Sequence, residues 1–208
     1  MHLSEGILHL PTLIGCSAVA TAAVAFGIKR LDERTIPLNA LFAAAFFVAG
    51  TIHIPLGLGS VHLILNGMAG LFLGWTVFPA FLIALLLQTI FFSFGGFAVL
   101  GANLCIMGFS ALVAHYLFRP LFSPAASRTK LICAGIGSAI VGVGGALCIA
   151  AFLLFLDGGR QYAELIYLLF ISHLPVMFVD SIISCGVILL FTQMQPSALN
   201  FTAKEADS

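Results

Sequence analysis

Charge is what this chain has least of. Only 8 Lys or Arg and 8 Asp or Glu occur among 208 residues, 8% in all, where a soluble domain carries about 25%. None of these types occurs from Thr35 to Phe118, nor from Leu131 to Leu156. Runs of that length exclude a water-soluble domain of any size. With 61% hydrophobic residues and a mean hydropathy of +1.16, the chain reads as an integral membrane protein. The runs also lack the two-residue alternation of barrel strands, which excludes an outer-membrane barrel.

Other absences narrow the chemistry. No Gly-x-x-x-x-Gly-Lys-Ser/Thr loop is present, so this chain does not hydrolyse ATP. No His-Glu-x-x-His pair is present, which argues against an intramembrane metallohydrolase, and no enzymatic activity is expected. The five cysteines, Cys16, Cys105, Cys133, Cys148 and Cys185, are scattered without a Cys-x-x-Cys pair. They read as small buried hydrophobes, with neither a disulfide nor an iron–sulfur cluster. No internal repeat is evident. The lipid bilayer is the expected surrounding, and no nucleic-acid partner is expected.

What is there is a series of apolar runs, each near the ~20 residues a helix needs to cross the hydrocarbon core. They read as spans over Ile7–Ile28, Ile36–Ile52, Val61–Gly74, Val77–Phe94, Gly101–Phe118, Leu131–Leu156 and Glu164–Phe191. The expected fold is an all-α bundle of about seven transmembrane helices. Residues 1–195 are expected to form one transmembrane domain, and residues 196–208 a polar cytoplasmic tail. Seven spans put Lys29, Arg30, Arg34, Arg119, Arg128, Lys130 and Lys204 on one side and only Arg160 on the other. Basic loops stay cytoplasmic, so the N-terminus is expected outside and the C-terminus inside. The first span is not a cleaved signal, because its basic flank follows the apolar run. Small residues at Ala18 and Ala22, at Gly70 and Gly74, and at Gly135, Gly137, Gly142, Gly144 and Gly145 predict close helix packing within the bundle.

Histidines are unevenly placed. His2, His9, His53 and His62 fall at or near the outer half of the membrane, His115 near the inner end of the fifth span and His173 within the seventh. Polar groups in apolar spans mark a pathway, a ligand site or a helix contact. The opening Met1-His2 is a compact chelator. Its amine, the His2 amide nitrogen and the His2 imidazole close adjacent rings around one divalent ion, and the bulky His2 is expected to keep Met1 in place. A free α-amine has a pKa of roughly 7.7–8.0, so it yields its proton readily to a metal near neutral pH. One imidazole from the outer loop, His53 or His62, completes four nitrogens, a set that suits planar Cu(II) or Ni(II).

At these residues the chain resembles a family. Met1-His2-Leu3-Ser4-Glu5-Gly6 resembles the Met-His-x-x-(Asp/Glu)-Gly opening of the CbiM/NikM proteins, the substrate-capturing membrane subunits of energy-coupling-factor transporters for cobalt and nickel. Gly57-Leu58-Gly59-Ser60-Val61-His62-Leu63 resembles their Gly-Gly-Thr-Ser-Gly-His-Leu segment, and Leu100-Gly101-Ala102-Asn103 with Met107-Gly108 resembles their Leu-Gly-Ala-Asn segment. His173 through Ile183 loosely resembles the family's last span. Val61, Ile106 and Asp180 stand where glycine, asparagine and glutamate are common.

The resemblance implies that Met1, His2 and His62 ligate the metal, which selects His62 over His53. Glu5, Asn103 and His53 are candidates for holding those ligands in place. Glu5 has a second reading, as a negative cap on the first helix, and Asp180 is a possible partner of His173. Ni2+ or Co2+ is then the transported substrate, with no organic cofactor. A transmembrane coupling subunit, ATPase subunits and often a small accessory membrane subunit are the implied partners in ATP-driven import. The alternative is a self-sufficient secondary divalent-metal permease. Those of the known nickel/cobalt type carry a His-x-x-x-x-Asp-His motif, which this chain lacks.

Overall fold

A computed structural model describes residues 3–56, 59–123 and 125–194, with 53–56 and 59–61 described as backbone alone. Seven α-helices lie among them: α1 (Leu10–Lys29), α2 (Ile36–Ala49), α3 (Asn66–Leu73), α4 (Val77–Phe92), α5 (Leu100–Phe118), α6 (Arg128–Gly158) and α7 (Ala163–Met194). One antiparallel hairpin, β1 (His53–Leu56) and β2 (Gly59–His62), stands between α2 and α3. The helical class agrees with the sequence reading, and the hairpin is an addition to it. The polar tail proposed at 196–208 lies outside the described residues.

Four stretches are long and apolar enough to cross a membrane: Leu10–Lys29, Asn66–Phe92, Leu100–Leu121 and Arg128–Met194, the last holding both α6 and α7. Large apolar side chains also cover the outside, with Leu10, Phe91, Leu168 and Phe178 each more than 60% exposed. An apolar exterior around an apolar interior is the pattern of a bundle solvated by lipid tails, so the molecule is a multi-pass membrane protein.

Two of the expected spans are corrected. The first helix begins at Leu10 rather than Ile7, with Pro11 in its opening turn, where a missing N–H costs nothing. The third expected span dissolves at its start. Val61 and His62 belong to β2, Leu65 takes a left-handed φ of 53°, and only Asn66–Leu73 is helical. Gly74, at φ +54°, ends α3 and leads through a single 3₁₀ turn into α4. It is a turn residue, not a packing residue.

Short as it is, α3 is the centre of the molecule, and all eight of its residues are buried. Missing side chains allow this. A Cβ on Gly67 would sit 1.7 Å from the Ser138 carbonyl oxygen, and one on Gly70 would sit 2.0 Å from that of Ala111. A Cβ on Gly142 of α6 would meet the Gly67 Cα at 2.5 Å. The buried Asn66 amide closes the junction, donating to Ser110 Oγ of α5 at 2.8 Å and to the Gly142 carbonyl of α6 at 3.0 Å. Gly135 lies close to the Cys185 backbone and Gly137 to the Phe118 ring, Gly145 is less tight with 3.0 Å to the Ser110 Cβ, and Gly144 has ordinary room. Ala18 and Ala22 face outward, so that pair does not pack within the bundle.

Candidate metal centre

The segment before α1 is not helical and not loose. Leu3 is 3% exposed, and the Asn103 side chain, in the first turn of α5, pairs with both of its backbone groups. Leu3 N–H donates to Asn103 Oδ1 at 2.8 Å, and Asn103 Nδ2 donates to the Leu3 carbonyl at 3.1 Å. A buried main-chain segment must satisfy its polar groups, and one amide side chain does this for a whole residue. Two residues on, Glu5 N–H donates to the Gly95 carbonyl at 3.3 Å, and Glu5 Oε1 accepts from the Ala98 N–H at 3.0 Å. Glu5 thus fastens the segment to the α4–α5 loop. It does not cap α1, whose N-cap is His9. Gly6, at φ +84°, turns the chain.

The outer anchor comes from the last turn of α6 and the 3₁₀ turn that follows it. Tyr162 donates its hydroxyl to the Ile7 carbonyl at 2.6 Å. The Asp157 carboxylate accepts from the His9 main-chain N–H at 3.0 and 3.1 Å and from the Thr12 hydroxyl, and it meets His9 Nδ1 at 2.7 Å. Asp157 therefore serves α1 as a cap supplied from 145 or more residues away. Sequence reasoning missed Tyr162, Asp157, His9 and Thr12 as a group. An aspartate before two glycines reads as a loop residue, and nothing local announces a partner so distant in the chain.

A second buried segment with expected site residues runs from β2 into α3. His62, at the end of β2, is 6% exposed, and its Nδ1 lies 2.8 Å from the Leu63 carbonyl. A carbonyl only accepts, so Nδ1 carries the proton and Nε2 carries the lone pair, the form in which imidazole binds metals. His53 is the Cα register partner of His62 across the hairpin. Leu65 N–H donates to Asp180 Oδ2 of α7 at 2.9 Å. Asp180 therefore fixes the turn into α3 rather than pairing with His173, whose Nδ1 donates to the Leu169 carbonyl at 2.8 Å. His115 is structural, with its Nδ1 at 2.9 Å from the Gly70 carbonyl at the end of α3.

The structure thus brings Glu5 and Asn103 onto the N-terminal segment and buries His62 beside α7. Met1 and His2, the other two expected ligands, lie outside the described residues. Among the described residues no three His, Cys, Asp or Glu side chains gather as a metal site. A metal centre here therefore needs ligands from beyond them.

Comparison with known proteins agrees with this architecture. The family model for the cobalt uptake substrate-specific transmembrane region, CbiM, matches residues 2–198. A Haemophilus influenzae protein that carries the name metal transport protein is 61% identical over 97% of this chain and 98% of its own length. The fused nickel transport protein NikMN of Rhodobacter capsulatus is 33% identical over 73% of this chain, which spans 46% of that protein. The cobalt transport protein CbiM of Geobacter sulfurreducens is 29% identical over 96% of this chain and 61% of its own length. The crystal structure of a truncated transition metal transporter superposes with a TM-score of 0.77 over 93% of this chain and 99% of that one. At 21% identity it speaks for the fold.

Fold and relatives together define the class, a multi-pass membrane protein of metal-ion transport. Within that class the chain belongs to the CbiM family.

Proposed function

We propose that this chain is the substrate-capture component of an ATP-driven importer of Ni2+ or Co2+. The ion is held by the Met1 amine, the His2 amide and imidazole nitrogens, and His62. The observation that carries this reading is the burial of Leu3 with both of its backbone groups on Asn103. It anchors the residue that directly follows the expected ligands inside the bundle. His62, buried with Nε2 as its lone-pair nitrogen, is the fourth ligand. Residues 1–195 act as one transmembrane unit with the N-terminus outside, as the distribution of basic residues supports.

The chain has no nucleotide-binding loop, so ATP is hydrolysed by partner subunits, with a transmembrane coupling subunit between. Relatives named as fusions, NikMN and a cobalt transport protein CbiMQ, support a working unit of several components. The decisive test is metal analysis of purified protein beside His2→Ala, His62→Ala and a variant with one residue inserted between Met1 and His2. All three should lose tight Ni2+ and Co2+ binding. The insertion is the sharpest, since it keeps every side chain and alters only the chelate rings. Tight binding by the insertion variant would overturn the ligand set. Uptake by the chain alone in proteoliposomes, without ATP or partners, would replace the capture component with a self-sufficient permease.

A further inference from the structure

The fold brings two cysteines together, and nothing described so far uses them. Cys16 of α1 and Cys105 of α5 are 89 residues apart in the chain. Cys105 Sγ donates to the Cys16 carbonyl at 3.4 Å, and the two thiols are themselves hydrogen-bond neighbours. They are 8% and 6% exposed, and both are free thiols. Cys133 and Cys148, by contrast, are exposed.

The contact has a cause in the backbone. A Cβ on Gly101 would lie 2.6 Å from the Ser17 Cα and 2.9 Å from the Ser17 nitrogen. The missing side chain lets α1 and α5 meet main chain to main chain. Cys105 follows Gly101 by one turn on the same face of α5, and Cys16 directly precedes Ser17. The dithiol is therefore built into a seam between two helices. It also stands beside the N-terminal clamp. Cys105 is two residues, or ~3 Å of helix rise, from Asn103, which holds both backbone groups of Leu3.

Two thiols so placed have a defined chemistry. The thiolate is the soft ligand among side chains and selects soft ions. Among the described residues no third His, Cys, Asp or Glu joins the pair. Two ligands do not make a structural zinc site, which takes four. Charge completes the choice. Two thiols release two protons on binding, so a divalent ion leaves a neutral sulfur–metal–sulfur bridge. A monovalent ion such as Cu+ would leave a net negative charge between apolar helices, which burial penalises.

We propose that Cys16 and Cys105 form a two-coordinate site for a soft divalent cation, of which Hg2+ is the type, distinct from the nitrogen centre proposed above. Each sulfur exchanges its proton for one bond to the ion, two protons leave, and no electron is transferred. The bridge ties α1 to α5 beside the Asn103 clamp, so a mercuric ion fixes the two helices that flank the N-terminal segment.

The test uses the full chain in detergent with Cys133, Cys148 and Cys185 replaced by alanine, so that the pair alone remains. HgCl2 is titrated in an excess of 2-mercaptoethanol, and the product is weighed by intact-mass spectrometry. The expected mass is that of one chain plus one mercury less two hydrogens. Cys16→Ala and Cys105→Ala, each in the same background, should need about 100-fold more mercury for equal occupancy, because the second thiolate then comes from solution instead of being held in place. Their adducts should carry one mercaptoethanol on the mercury. Cys16→Ser and Cys105→Ser repeat the measurement with a volume nearer that of cysteine, and a monodisperse elution profile shows which variants are folded.

Three results would overturn the proposal. One is a mercaptoethanol-bearing adduct as the main product when both cysteines are present. Another is a mercury ion shared between two chains. The last is undiminished occupancy in folded variants that keep a single cysteine.

Discussion

The N-terminal segment and the short helix α3 are held in opposite ways. The helix α3 is wedged at the centre by absent side chains, with Gly67 and Gly70 against main-chain carbonyls of α6 and α5. The N-terminal segment is hung on separate polar contacts, from Asn103 at its inner end through Glu5 and Tyr162 to Asp157 at its outer end. Close packing fails as a whole, because no neighbouring backbone can yield by an ångström or more. Hydrogen bonds fail one at a time, each worth about 0.5–1.5 kcal/mol net. The difference separates a part that sets the fold from a part whose position can be adjusted without unfolding anything.

The strongest way to break this contrast is Gly67→Val. Overpacking costs typically about 1–3 kcal/mol and occasionally more, and a Cβ only 1.7 Å from a backbone oxygen belongs with the costliest cases. Loss of monodisperse protein on size exclusion is expected. On the other side of the comparison, one residue inserted between Met1 and His2 should leave the elution profile intact while metal affinity falls more than 100-fold. Asn103→Ala should be intermediate. It removes both contacts to Leu3, and titration calorimetry should read a 10–100-fold weaker Kd for nickel.

Acidification sharpens the same point without a mutation. With the proposed ligands, amine, amide and imidazole would all have to be free of their protons at the metal, so binding should be strongest at high pH and weaken as pH falls. Affinity should drop more than tenfold between pH 8 and pH 6, and pH-independent affinity would contradict the nitrogen ligands. Asp157→Asn should have the smallest effect. It loosens the outermost anchor, where His9 is 68% exposed, and a few-fold weaker Kd with an unchanged melting temperature is expected.

The helices were legible because apolar runs of membrane length have few alternatives. The boundaries of α5 and α4 fall within two residues of those read from sequence. The start of α3 was not legible, and the reason is physical. When lipid and protein interior are equally apolar, Val61-His62-Leu63-Ile64-Leu65 carries no periodicity that separates strand from helix. The left-handed turn at Leu65 is held by Asp180, a tertiary cause invisible to local reading. Within the candidate site, Asn103 and Glu5 stood out by their resemblance to family motifs. Tyr162 and Asp157 did not, since their partners Ile7 and His9 lie about 150 residues away.

Three buried rings share one habit. His62, His115 and His173 each turn Nδ1 toward a main-chain carbonyl, and each is thereby fixed as an electron-pair donor at Nε2. A phosphate or sulfate entering this bundle would meet lone pairs where it needs protons, whereas a cation would meet the electron density it seeks. In the proposed capture of a metal cation, ring orientation would thus supply electron density that an interior with few charged groups otherwise lacks.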